Sequence, residues 1–184
     1  TAIREALKRN EDISFYVPEK TKEILKKKNL KDDFFPFLKY KILTEPNQLS
    51  QIQTVDEGLQ NRIINQTNHA NNLEEFVKKI KTKRYTYNKI MRMMIHILCN
   101  FTKEEAKRNT EIHYIRILGM SELGRQHLNK IKKEITLPII TACNQIKDEM
   151  LKIEYRTSCI YEMFENSDSK KQEFSKKPIL KEND

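Results

Sequence analysis

The sequence predicts a mainly α-helical protein, a helical domain with one small βαβ element, a two-strand parallel pair, near the C-terminus. Three observations predict it. Apolar residues recur every three or four positions through most of the first 110 residues, the spacing that lines them up on one side of a helix. Only three glycines occur in 184 residues, too few for an all-β sandwich with its closely spaced turns. Between residues 113 and 140 a β-branched run, an amphipathic helix pattern and a second apolar run follow one another. That is the order of a parallel crossover.

Ile3, Ala6 and Leu7 give residues 1–9 one apolar helical side, and Pro18 opens a helix through EKTKEILKKK, acidic early and basic late as the helix dipole favours. Asp32 and Asp33 are expected to cap FFPFLKYKIL, with Pro36 tolerated in its first turn. PNQLSQIQ reads as one helix. VDEGLQNRIINQTNHA reads as another, with Val55, Leu59, Ile63 and Ile64 inward and Asp56 and Glu57 in its first turn. Gly58 inside that helix would cost about 1 kcal/mol, so it either permits close packing or is merely tolerated. Asn72 caps LEEFVKKI, KTKRY is a junction, and Thr86 is the expected N-cap of YNKIMRMMIHILCN. Ile90, Met93, Met94, Ile97 and Leu98 cover a wide side of this segment and make it the central buried helix. Thr102 and Glu105 have the spacing of a capping box.

HYIRILG and LPIIT are the two strands, with a helix capped by Ser121 between them. Residues 144–164 form a last helix, with a break open near Arg156-Thr157-Ser158, and a tail follows that is either disordered or laid down as a short strand at 178–180. The division is a helical domain over 1–110, the βαβ element plus terminal helix over 111–165, and a tail over 166–184. Thr1 opens the chain as though already inside a helix, which reads as a segment cut from a longer protein.

The net charge of +9 points to nucleic acid or an anionic membrane surface, with general solubility as the alternative. No apolar run approaches the roughly 18 residues of a membrane span. Cys99, Cys143 and Cys159 are odd in number and far apart, which suits a reducing compartment, hence a cytoplasmic location. His96 and Cys99 lie three apart on the central helix, but no further ligand lies close in sequence, so a packed imidazole and a buried thiol are expected rather than a metal site. His113 and His127 have no recognisable nucleophile, and no Walker loop, G-x-G-x-x-G or G-x-S-x-G occurs. No catalytic residue is assigned.

The stretch KKIKTKRYTYNKIMR (78–92) concentrates seven Lys/Arg and two Tyr with no acid. Lys81, Lys83 and Arg84 precede a helix start, and Lys89 and Arg92 project together from its first turns. Tyr85 and Tyr87 offer rings for base stacking, worth roughly 1–3 kcal/mol per base. Cations for a backbone and rings for unstacked bases suit single-stranded RNA. The alternative is a solvated turn whose tyrosines pack inward.

The order EGLQNRII (57–64), KTKRYTYNKIMRMMIHIL (81–98), YIRILGMSELGRQHL (114–128), LPII (137–140) resembles the C-terminal part of the bacterial tRNA(Met) cytidine acetate ligases, a nucleotidyltransferase-like family. The resemblance runs from Thr1 to about Tyr161. TAIR (1–4) is similar to the end of the family's S-x-T-x-I-R element, which places Thr1 and Arg4 at the edge of a nucleotide pocket. The resemblance implies an ATP-dependent ligase that makes acetyl-adenylate and acetylates the wobble cytidine of elongator tRNA(Met). Acetate and ATP, with Mg beside ATP, are the implied substrates. DNA and membrane are not implied partners. It also implies that the nucleotidyltransferase domain, with its H-x-G-H motif and ATP site, lies outside this chain, which would then be inactive and bind no cofactor by itself. The RNA contacts implied are Lys81, Lys83, Arg84, Tyr85, Lys89 and Arg92, with Arg116 and Arg125 in a second tier. Arg116 has an ion-pair alternative with a helix Glu. Arg62 is equally readable as the partner of Glu57 or of a helix end. The competing reading of the whole chain is a helical protein-interaction or dimerisation module.

Overall fold

The structure, a computed structural model, describes residues 2–27, 34–56, 58–142, 148–165 and 177–181. The chain divides into two units, Thr1–Lys31 and Asp32–Asp184. Asp32, Asp33, Cys143 and most of the tail fall outside the described residues.

The first unit holds α1 (Ala2–Lys8) and α2 (Glu19–Lys27). The connection is tied by Asp12, which accepts from the Ser14 hydroxyl at 2.9 Å and meets Lys22 Nζ at 3.0 Å. The Lys22 ammonium holds the Asp12 carboxyl down to about 2.

In the second unit, α3 (Phe35–Thr44), α4 (Leu59–Asn68), α5 (Leu73–Ile80) and α6 (Tyr87–Leu98) enclose the core. Helix α3 packs on α4 and α6, and α5 packs on the same two. Leu38 and Ile42 of α3, Ile63 of α4, Phe76 and Ile80 of α5, and Ile90, Met93, Met94 and Ile97 of α6 are all shut off from solvent. The Phe35 and Phe76 rings meet at 5.6 Å. Asn72 caps α5 through the Glu75 amide, and Thr102 and Glu105 form the expected capping box of α7 (Lys103–Arg108).

Two segments take their form for local reasons. Residues Pro46–Gln51 form a 3-10 helix, not an α-helix. Only Leu49 of that segment is buried, too small an apolar side to hold a longer helix in place. Gly58 lies before α4, not inside it, and has φ +79° with nothing within 4 Å of a Cβ placed there. Its role is the left-handed turn, not close packing. Asp56 consequently precedes the helix instead of lying in its first turn.

The β-rich region also differs from expectation. HYIRILG splits into β1 (Ile115–Arg116) and the start of β2 (Gly119–Ser121), and the described residues hold two parallel pairs rather than one. Strand β1 pairs with β3 (Ile139–Ile140), and β2 pairs with β4 (Ile179–Lys181). The chain changes partner between the two strands. Ile117 donates to the Ile140 carbonyl at 2.9 Å, and the Leu118 carbonyl accepts from Ile179 at 3.0 Å. Helix α8 (Glu122–Ile131), capped by Ser121, sits between β1 and β3 in the crossover. A further helix and strand follow this βαβ element, so it does not end the chain. Helix α9 (Glu149–Glu165) runs unbroken. At the expected break, the Thr157 hydroxyl bonds back to the Ile153 carbonyl at 2.9 Å, which keeps the polar group inside its own helix.

Ionic contacts link β1 and α7 to α9. Arg116 Nη1 meets Glu154 Oε2 at 2.6 Å, and the Tyr114 hydroxyl donates to the other oxygen of Glu154. His113 Nδ1 lies 3.1 Å from Asp148, and Arg156 donates to both Glu105 oxygens at 3.0 Å. The Glu154→Ala variant removes two of these acceptor contacts at once. It is expected to destabilise the second unit by about 1–3 kcal/mol, read as a lower urea midpoint with an unchanged m-value.

Candidate nucleic-acid interface

The link between α5 and α6 is a tight turn. The Thr82 hydroxyl accepts from the Tyr85 amide at 3.1 Å, and the Thr82 amide donates to the Tyr85 carbonyl at 3.3 Å. This closure puts Lys83 and Arg84 at the two corners of the turn, where side chains stand in water, and both are exposed. The next residue goes the other way. Tyr85 is 8% exposed and belongs to the core cluster. Of its two readings it therefore takes the core one, because its ring completes the apolar layer capped by α6. The ring left outside is that of Tyr87, 49% exposed at the start of α6.

The Tyr85 hydroxyl donates to Asp56 Oδ2 at 2.9 Å. Arg84 Nη2 and Lys89 Nζ each lie 4.0 Å from the same oxygen. Lys89 Nζ also stands over the Tyr85 ring, 4.7 Å from its centre, and the Arg84 guanidinium is 5.8 Å from it, within cation–π range. Burial, reinforced by the Asp56 carboxylate, pushes the Tyr85 phenol up. Among the described residues no ion pair involves Lys81, Lys83 or Arg92, all exposed. Thr86 stands at the N-cap position of α6 but makes no side-chain cap, and the first turn of α6 holds no acid.

The structure separates the second-tier candidates from this cluster. Arg116 is the ion-pair partner of Glu154 on α9 and only 19% exposed, which is its structural alternative. Arg125 is exposed but held by both oxygens of Glu122, at 2.9 and 2.8 Å. Among the described residues Arg62 pairs with no acid, and Glu57, its other expected partner, lies outside them. It donates through Nε and Nη2 to the Lys79 carbonyl near the end of α5, the helix-end reading. Thr1 and the Arg4 side chain fall outside the described residues. His96 Nδ1 lies 3.0 Å from the Gln53 carbonyl and 3.2 Å from the Thr54 hydroxyl, and burial lowers its pKa. Thr54 holds φ +74°, so this imidazole supports a strained corner. Among the described residues no group of three His, Cys, Asp or Glu could hold a metal ion.

Sequence reasoning missed Asp56. It comes from a segment 29 residues upstream of Tyr85, and no local pattern announces a carboxylate that meets the cations only through the fold.

Residues 1–177 match the family described as HIGH Nucleotidyl Transferase, so the chain belongs to that family. Its curated relatives carry a narrower name. A tRNA(Met) cytidine acetate ligase of Geobacillus sp. (strain WCH70) is 35% identical, with 98% of this chain and 49% of that protein aligned. One from Bacillus cytotoxicus is 41% identical over 71% of this chain and 34% of that protein. A crystal structure of Thermotoga maritima TmcAL bound with alpha-thio ATP superposes with a TM-score of 0.80 at 26% identity, covering 99% of this chain and 52% of that one. The chain thus spans about half the length, or less, of the relatives it matches. Because the nucleotidyl transferase match covers residues 1–177 themselves, the expectation that the nucleotidyltransferase part lies wholly outside this chain does not stand, nor does the inactivity inferred from it.

Tyr85 and Tyr114 both retain their protons above the ordinary phenol value, chiefly through burial. Above about pH 10 the unfolded chain releases protons that the folded chain keeps, so stability falls as pH rises further. Tyr85→Phe should cost about 1–2 kcal/mol near neutral pH and should flatten that alkaline decline. Urea midpoints measured from neutral to strongly alkaline pH check both.

Proposed function

We propose that this chain is part of an ATP-dependent ligase that acetylates the wobble cytidine of elongator tRNA(Met), and that the turn 81–85 with the start of α6 holds the tRNA. The observation that carries the second half is the partition of charge. Lys81, Lys83 and Arg92 are exposed without ion pairs among the described residues, whereas Arg116 and Arg125 are neutralised by Glu154 and Glu122. Unneutralised cations beside an uncapped helix start attract phosphate, and Tyr87 offers an exposed ring for an unpaired base. Arg84 and Lys89 belong to the same surface, with Asp56 between them.

The first half is supported by the family and by the names of its relatives. ATP is the proposed nucleotide, with Mg as its companion and acetate as the group donor, in the cytoplasm. The sequence carries no H-x-G-H and no glycine-rich phosphate loop, so no chemical step is assigned to a side chain of this chain. A base in an anticodon loop is already unpaired, so presenting it costs less than extracting one from a duplex.

The test is a titration with unmodified elongator tRNA(Met), with initiator tRNA as control, at two salt concentrations. Binding should weaken with salt, and the Lys83→Glu/Arg84→Glu variant should lose about tenfold or more in affinity and about 1.4 in log–log salt slope, or 0.7 per phosphate contact. Full affinity in that variant would remove the turn from the site. No binding at low salt would favour the protein-interaction reading.

A further inference from the structure

We propose that Asp56 reads a base: its outer carboxylate oxygen accepts a hydrogen bond from an amino group on the Watson–Crick edge of an unpaired nucleotide, such as cytosine N4, between phosphates held by Arg84 and Lys89. The inference rests on the RNA-binding reading above and adds a selectivity residue to it.

Asp56 accepts from the buried Tyr85 hydroxyl, but two other common roles of a surface aspartate are not filled among the described residues. Gly58, not Asp56, holds the N-cap position of α4, and among the described residues the Asp56 carboxylate accepts from no helix amide. It makes no tight ion pair, since Arg84 and Lys89 both stop at 4.0 Å, beyond hydrogen-bond length. Among the described residues its carboxylate accepts one hydrogen bond, at Oδ2 from the buried Tyr85 hydroxyl. That bond fixes the plane of the carboxylate. Among the described residues Oδ1 has no partner, and the side chain is 42% exposed.

A fixed negative charge among cations opposes a bare polyanion. It is useful only where the ligand offers a donor between its phosphates, as a nucleobase does. Acidic side chains pair with the cytosine amine when bases are read directly, and single-stranded RNA presents its Watson–Crick edge for such contacts. Uracil offers there one N3–H flanked by two carbonyl oxygens, which repel a carboxylate. The surface should therefore prefer cytidine to uridine, and the preference should depend on Asp56 while the affinity depends on the lysines and arginines.

Fluorescence anisotropy with labelled oligocytidine and oligouridine dodecamers tests this on the 184-residue chain. The unaltered protein should bind oligocytidine about tenfold more tightly at one salt concentration. Asp56→Asn and Asp56→Ala should both bring the ratio to within about twofold of one, because a single charge-assisted bond is lost. Thermal melting shows which variants remain folded. Tyr85→Phe, which keeps the charge but frees its orientation, provides the second route and should lower the ratio without changing the salt slope. Two results overturn the base reading alone: equal binding of both oligomers by the unaltered protein, or variants that bind both more tightly with the ratio intact. The second would make Asp56 an electrostatic brake. No binding of either oligomer at low salt would overturn the RNA reading as well.

Discussion

Burial of Ile90, Met93, Met94 and Ile97 along one side of α6 sets the position of everything that leads into that helix. Once this side is packed against α3 and α5, the turn before it has little freedom. Tyr85 enters the core at the edge of the apolar layer, and its hydroxyl must find an acceptor because a buried phenol without one is costly. Asp56 supplies it. The same bond draws the segment before α4 up to the start of α6 and places a carboxylate beside Arg84 and Lys89. A packing requirement in the core thereby fixes the chemistry of the surface above it.

The surface that results is graded. At its rim Lys81, Lys83 and Arg92 stand in water without ion pairs among the described residues. Toward its centre Arg84 and Lys89 share one carboxylate at a distance that weakens but does not cancel them. Several basic side chains elsewhere in the second unit are committed to structure. Arg116, Arg156 and Arg108 tie β1 and α7 to α9 through Glu154, Glu105 and Glu149. A net charge of +9 is a sum over paired and unpaired side chains alike.

The family relationship and the geometry bear on different questions. Membership in the HIGH Nucleotidyl Transferase family speaks to the reaction of proteins about twice this length. The cation cluster speaks to what this stretch of chain does within such a protein. The proposed tRNA contact draws on both, on the names of relatives and on unneutralised charge beside an exposed ring.

Most helices were legible in the sequence because their signals are local: apolar spacing for α6, an Asn cap for α5, the Thr102–Glu105 box for α7. The parallel pairing of β1 with β3 was legible from the order strand, helix, strand. The errors came where a partner distant in sequence decides. HYIRILG reads as one strand, but β3 claims its start and β4, some 60 residues on, claims its end. Gly58 reads as a helix interior until its positive φ is seen. The sequence by itself determined which residues carry charge and which helices carry the core, since both depend on composition and period. Only the tertiary structure decided that Tyr85 turns inward, that Arg116 pairs with Glu154, and that Asp56 belongs to the basic surface. Those outcomes depend on which side chains meet across dozens of residues, and no spacing along the chain encodes that.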